Sequence, residues 1–100
     1  MGVKSQVLDD SRQVVVKIDG RFDFQVHDEF RNAYCNVEPG GMNFVVDLNS
    51  ADYMDSSALG MLLLLKEHAG DSGKVEIVNS KADVLNVLKI ANFDKLFEIH

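Results

Sequence analysis

The chain has little of what several kinds of chemistry require. It carries one cysteine, Cys35, which excludes an intramolecular disulfide and a multi-thiolate metal site and suits a reducing compartment. It has no long apolar run. The greasiest stretch, Met61 to Leu65, is far short of the roughly 20 residues that span a bilayer. The opening residues, Met1 to Asp9, are too polar for a signal peptide. A soluble protein that stays in the cytoplasm, with no direct membrane insertion, is the expectation. Basic charge is scarce as well. Ten Lys and Arg against sixteen Asp and Glu leave a net charge of −6, and no two basic residues are adjacent. Binding to nucleic acid needs clustered cations to displace counterions along phosphates, so that partner class is excluded.

Catalytic patterns are equally thin. His27, His68 and His100 lie far apart in the chain and form no metal-binding pair at helical spacing. His27-Asp28-Glu29 places a histidine beside two carboxylates, but neighbours on a helix point in different directions. No glycine-rich phosphate loop is present, because Gly40-Gly41 follows Pro39 and leads into a strand. No base accompanies Cys35, so an idle or packed thiol is the simpler reading. The chain is expected to have no catalytic residue, metal or cofactor of its own.

What is present is the pattern of one α/β domain over residues 1–100. The apolar fraction of 46% is ordinary for a globular chain, and this length suffices for one core. Turn signals punctuate it at Asp9-Asp10-Ser11, Asp19-Gly20, Glu38-Pro39-Gly40-Gly41, Asn49-Ser50 and Gly70-Asp71-Ser72-Gly73. Gln6 to Leu8 and Val14 to Ile18 read as a strand hairpin. Val26, Phe30, Ala33 and Tyr34 then recur at helical spacing. Phe44-Val45-Val46 suits a central strand buried on both faces. Asp55 is a good N-cap for a deeply packed helix over Leu59 to His68, with Leu59, Leu62, Leu63 and Lys66 on one face and Met61, Leu64 and Leu65 covering much of the rest. Gly70 and Gly73 stop it. Val75 to Val78 is a further strand, and Ser80 with Asp83 resembles a capping box for a helix carrying Val84, Leu85 and Leu88. Leu96 to Ile99 closes the chain as a strand. The order is β-β-α-β-α-β-α-β, which predicts a mostly parallel sheet with one antiparallel edge and helices on one or both faces.

The serine pair at the mouth of the second helix stands out. Asp and Ser crowd helix starts because their side chains satisfy free amides, and a hydrolase elbow would need small residues where Met54-Asp55 precede Ser56. The same place also suits an added phosphate. A helix N-terminus carries partial positive charge, and a phosphoserine brings roughly −1.5 to −2 charges. Such a group on Ser56 would alter the surface beside Asp52 and Asp55 and leave the fold in place.

Phe44-Val45-Val46-Asp47-Leu48, followed by Tyr53-Met54-Asp55-Ser56-Ser57-Ala58-Leu59-Gly60, resembles the signature of the STAS domain in bacterial anti-sigma factor antagonists. Gly20-Arg21-Phe22-Asp23 and Gly73-Lys74-Val75-Glu76-Ile77-Val78 are similar to two further segments of that family, and the element order matches nearly the whole chain. The resemblance implies a partner switch in transcription regulation. The unphosphorylated antagonist binds an anti-sigma factor with serine kinase activity, which releases its target. That kinase phosphorylates the first hydroxyl after the Asp, and a metal-dependent serine phosphatase removes the mark. Carried over, the acceptor is Ser56, with Ser57 second. Asp23, Arg21, Tyr53, Met54, Asp55, Ser57, Leu59 and Met61 are the expected partner-binding or supporting residues, and the chain is a substrate, not an enzyme. The alternative is a structural STAS subunit of a membrane transport assembly, in which the serine only caps a helix. Three features depart from the family pattern. Ala58 replaces a Gly, which bears on how closely a partner backbone approaches. Arg21 replaces a Glu and is expected within reach of a phosphate on Ser56 if the two loops adjoin. The chain stops at His100, so the family's final helix is expected to be absent.

Overall fold

Five strands and three helices follow one another in the computed structural model, which describes residues 2–8, 10, 12–37, 42–70 and 73–100. They are β1 (Val3–Leu8), β2 (Gln13–Phe22), α1 (His27–Tyr34), β3 (Asn43–Met54), α2 (Ser56–Ala69), β4 (Lys74–Val78), α3 (Ala82–Ile90) and β5 (Glu98–Ile99), with short 3-10 turns at Phe24–Val26 and Phe93–Lys95. The expected order is therefore observed. The turns expected at 9–11, 38–41 and 70–73 lie partly or wholly outside the described residues.

The strands stand in the sheet in chain order, β1-β2-β3-β4-β5. β1 pairs antiparallel with β2, and the other neighbours are parallel. Each parallel crossover thus steps the same way across the sheet. Because such crossovers share one hand, they lay all three helices on the same face. Burial agrees with this. Val14, Val16 and Ile18 of β2, Phe44, Val46 and Leu48 of β3, and Val75 and Ile77 of β4 are buried. The residues between them, Val15, Lys17, Val45, Asp47, Glu76 and Val78, remain partly or largely exposed. Among the described residues the sheet is covered on one face only. Val45 therefore does not share the two-sided burial expected of its apolar run.

A single helical layer also decides how α2 packs. Its buried stripe is Ala58, Met61, Leu62, Leu65 and Ala69, spaced as one helical face. Leu63 and Leu64 are 43% and 49% exposed. The expectation that this Leu-rich helix is packed nearly all round is thus corrected: no described residue closes over its outer side. α1 buries Phe30 and Tyr34, with Val26 just before it, and Phe30 meets Phe22 with ring centroids 5.2 Å apart. α3 buries Val84 and Leu88. Its N-cap is Lys81, without a side-chain bond, so the capping box expected at Ser80 does not form. Asn79 takes a left-handed turn at φ 62, and the helix starts one residue later than that motif requires.

α2 opens as expected. Asp55, in extended backbone, accepts the N–H groups of Ser57 at 3.0 Å and Ala58 at 3.4 Å on Oδ1, and the Ser57 hydroxyl donates to the same oxygen. The Ser57 hydroxyl bond does most to hold the Asp55 carboxyl below its ordinary pKa. Burial opposes this and ranks next, while the two amides and the charge of Arg21 each add a lesser lowering.

Two stability measurements check this packing and capping. Leu65→Ala should cost about 2–5 kcal/mol in urea unfolding, as a truncation in a closed core does. Leu64→Ala should cost about 1 kcal/mol or less, as at a half-exposed site. Similar losses at both positions would contradict the one-sided packing of α2. Asp55→Ala should cost about 0.5–2 kcal/mol at neutral pH. A carboxyl with a lowered folded pKa stabilises fully above its unfolded value and loses that effect as pH falls through the folded one. The gap between native and Asp55→Ala stability should therefore persist down to about pH 4 and close below it.

A candidate docking site on the strand rim

β2 and β3 run on beyond β4, which pairs only with Asn43 to Asp47. Along this extension the β2–β3 register shifts twice, between Lys17 and Asp19 and between Gly20 and Arg21. At each shift β3 contributes one more residue than β2, so its buried positions move from every second residue to every third: Leu48, Ala51, Met54. Such bulges bend and twist a strand pair. Gly20 sits at the second shift with φ +84, a backbone state costly for other residues. Asn49-Ser50, expected as a turn, lies within this bulged strand, which ends with Asp52 to Met54.

This extension brings two distant segments side by side at the carboxyl ends of the strands. Arg21 lies opposite Tyr53, and Phe22 opposite Met54. Phe22 and Met54 turn into the core, at 0% and 6% exposure, so Arg21 and Tyr53 face outward. The guanidinium stacks on the Tyr53 ring, 3.9 Å from its centroid, and its Nε donates to Asp23 Oδ2 at 3.1 Å. Asp23 in turn accepts the Gln25 N–H at 3.0 Å on Oδ1, which caps the turn leading into α1. At 8% exposure it is the buried charged residue of the described core. The pair with Asp23 raises the Arg21 pKa further, so the cation is permanent.

Beside this clamp lies the start of α2. Ser57 is half-buried, and its hydroxyl is committed to Asp55. Ser56 is exposed, and its hydroxyl has no hydrogen-bond partner among the described residues. Two adjacent serines thus differ in availability: Ser57 belongs to the cap, while Ser56 is open to another molecule.

Of the residues expected here, Arg21, Asp23, Tyr53, Asp55, Ser56 and Ser57 are brought together. Leu59 is half-buried and packs against the core. Of the two roles expected for Met54 and Met61, contact or support, their burial leaves support, because they are 6% and 3% exposed and line the core. Ala58 is fully buried, so its side chain meets the core and not an approaching backbone. The position open to close approach is Gly60, exposed and with empty space where a Cβ would stand. Ser56, Gly60, Leu63, Leu64 and Glu67 form the outward stripe of α2. Phe24, 68% exposed, adds an apolar side chain next to Asp23. Neither Phe24 nor the stripe beyond Ser56 was among the expected site residues. The one signal in the sequence is that Phe24 falls off the helical spacing of Val26, Phe30 and Tyr34.

Neither Cys35 nor His27 shares a hydrogen bond with the clamp or the cap. Cys35 is exposed, with only long contacts to Asn32 and Asn36 at 4.0 and 3.8 Å. His27 packs its ring on Phe24, with centroids 5.0 Å apart, and meets the neighbouring Asp28 at 3.4 Å. Among the described residues no group of His, Cys, Asp and Glu could hold a metal ion, and no helix is long and apolar enough to cross a membrane.

Comparison with known proteins gives a consistent picture. Residues 5–98 match the protein family described as "Mlab, STAS domain". A STAS-domain containing protein of Pseudomonas aeruginosa is 46% identical over 91 residues, covering 90% of each chain. Among solved structures, a putative anti-sigma factor antagonist of Thermotoga maritima superposes with a TM-score of 0.81 at 17% identity, over 97% of this chain and 84% of the other. The Bacillus cell fate determinant SpoIIAA in its phosphorylated form superposes at 0.74 and 15% identity, over 99% and 91%. The likeness at low identity is one of fold, and the family match spans nearly every residue from β1 to β5: this chain belongs to the STAS domain family.

Proposed function

We propose that this protein is an anti-sigma factor antagonist working by partner switching, with Ser56 as its phosphorylation site. The observation that carries the reading is the difference between the two serines: Asp55 engages the hydroxyl of Ser57 and leaves that of Ser56 exposed at the helix start. In the unphosphorylated state the rim offers Tyr53, Phe24 and the α2 stripe to an anti-sigma factor with serine kinase activity. That enzyme transfers the γ-phosphoryl group of its bound nucleoside triphosphate to Ser56 Oγ, releases the nucleoside diphosphate, and supplies the base that takes the hydroxyl proton. A metal-dependent serine phosphatase hydrolyses the ester and restores the binding form. The chain itself serves as substrate in both steps, in the cytoplasm.

The magnitudes are sufficient. Enclosing a phosphate dianion in an interface costs several kcal/mol, and about 3 kcal/mol already weakens binding roughly a hundredfold. The fold can carry the charge, since the helix N-terminus favours an anion.

Two experiments test this reading. Ser56→Ala should capture an anti-sigma factor from cell extract and resist phosphorylation by it, whereas Ser56→Asp should bind that protein about a hundredfold more weakly. Equal binding by both variants, or capture of a membrane transport complex by both, would favour a structural subunit instead. Gly60→Ala should raise stability by about 0.5–1 kcal/mol, as replacement of an open helical glycine does, while weakening the partner complex that closes over it. Undiminished partner affinity would remove Gly60 from the docking face.

A further inference from the structure

We propose that Arg21 is a built-in receptor for the phosphoryl group of phospho-Ser56, so that phosphorylation places an anion on the rim and also withdraws its exposed cation. This rests on Ser56 being the modified residue and says how the modified state is held.

Four observations lead there. First, the β2–β3 register sets Arg21 opposite Tyr53, so it lies across from the segment that leads through Asp55 to Ser56. Second, the guanidinium is already positioned. Its face lies on Tyr53 and its Nε is held by Asp23, which spends only one of five N–H donors. The four donors on its Nη atoms have no carboxylate partner among the described residues. An edge of this kind, held flat, matches the paired oxygens of a phosphate. Third, its side chain is 61% exposed, so an incoming group reaches it without opening the core. Its charge is felt at Asp55, the residue next to Ser56. Fourth, the surroundings supply acid and little base: Asp23, Asp52 and Asp55 flank the rim, and the only other cation between residues 20 and 60 is Arg31, in the last turn of α1. A dianion next to Asp55 is repelled by that carboxylate, and Arg21 is the group placed to offset it.

The unmodified rim therefore shows a partner a flat cation resting on an aromatic ring, with a free hydroxyl beside it. The modified rim shows an internally paired phosphate. Asp23 fixes where the guanidinium starts, and Tyr53 keeps it in plane.

The test is a 31P NMR pH titration of the full chain carrying phosphoserine installed at position 56 during translation. It compares native protein with Arg21→Gln and Arg21→Lys. In the native protein the second phosphate pKa should lie below that of Arg21→Gln by about 0.5 or more, less than for enclosed ion pairs because the site faces solvent. Arg21→Lys should recover part of the shift, as a cation without the planar fork does. Superimposable native and Arg21→Gln curves would overturn the proposal. Failure of the switch itself would look different: the pKa shift would be present, and Arg21 would still hold the phosphate, while phosphorylation left partner binding intact.

Discussion

One carboxylate organises the rim. Asp55 accepts two backbone amides and a serine hydroxyl on a single oxygen, and in doing so starts α2, aligns it on the sheet and assigns different roles to two identical neighbours. A cap normally answers only the unpaired amides of a helix end. Here it also leaves Ser56 as the hydroxyl that a second protein can reach, at the end of the helix where an added negative charge is tolerated.

The rest of the fold serves to present that helix start. Because the strands follow one another across the sheet in chain order, every helix falls on one face, and α2 is left with an outward side of Ser56, Gly60, Leu63 and Leu64. The two bulges in β3 carry Tyr53 and Arg21 beyond the body of the sheet and set them beside the cap. Carboxyl ends of parallel strands are where sheets of this kind generally place their functional groups. In this chain they hold an exposed hydroxyl, a fixed guanidinium and exposed aromatic rings, the groups on which the proposed switch rests.

Much of this was legible in the residues, and what was not has local causes. The element order, the Asp55 cap and the span of α2 follow from local signals: a capping residue, a helical period, a glycine stop. The Asp-Ser-Ser stretch and its neighbours also pointed to the family. The length of β3 was hidden, because two bulges break the alternation by which a strand is recognised. The outward face of α2 was hidden for a different reason. Met61, Leu62, Leu63, Leu64 and Leu65 are all apolar, so periodicity could not say which of them meet the core, and only the one-sided sheet decides. Met54 and Met61 neighbour the serines in sequence, which left contact and support both open, whereas backbone direction turns both inward. Ser80 carried a sound capping signal that the left-handed turn at Asn79 displaced by one residue.

The central claim is that a phosphate on Ser56 rewrites this surface and leaves the fold as it is. Backbone amide chemical shifts of the unmodified chain and the chain phosphorylated at Ser56 measure that most directly. The account predicts that changes concentrate at residues 20–25 and 53–60, with β4, α3 and β5 unmoved. Changes spread through the sheet and α3, or none beyond Ser56 and its immediate neighbours, would contradict it.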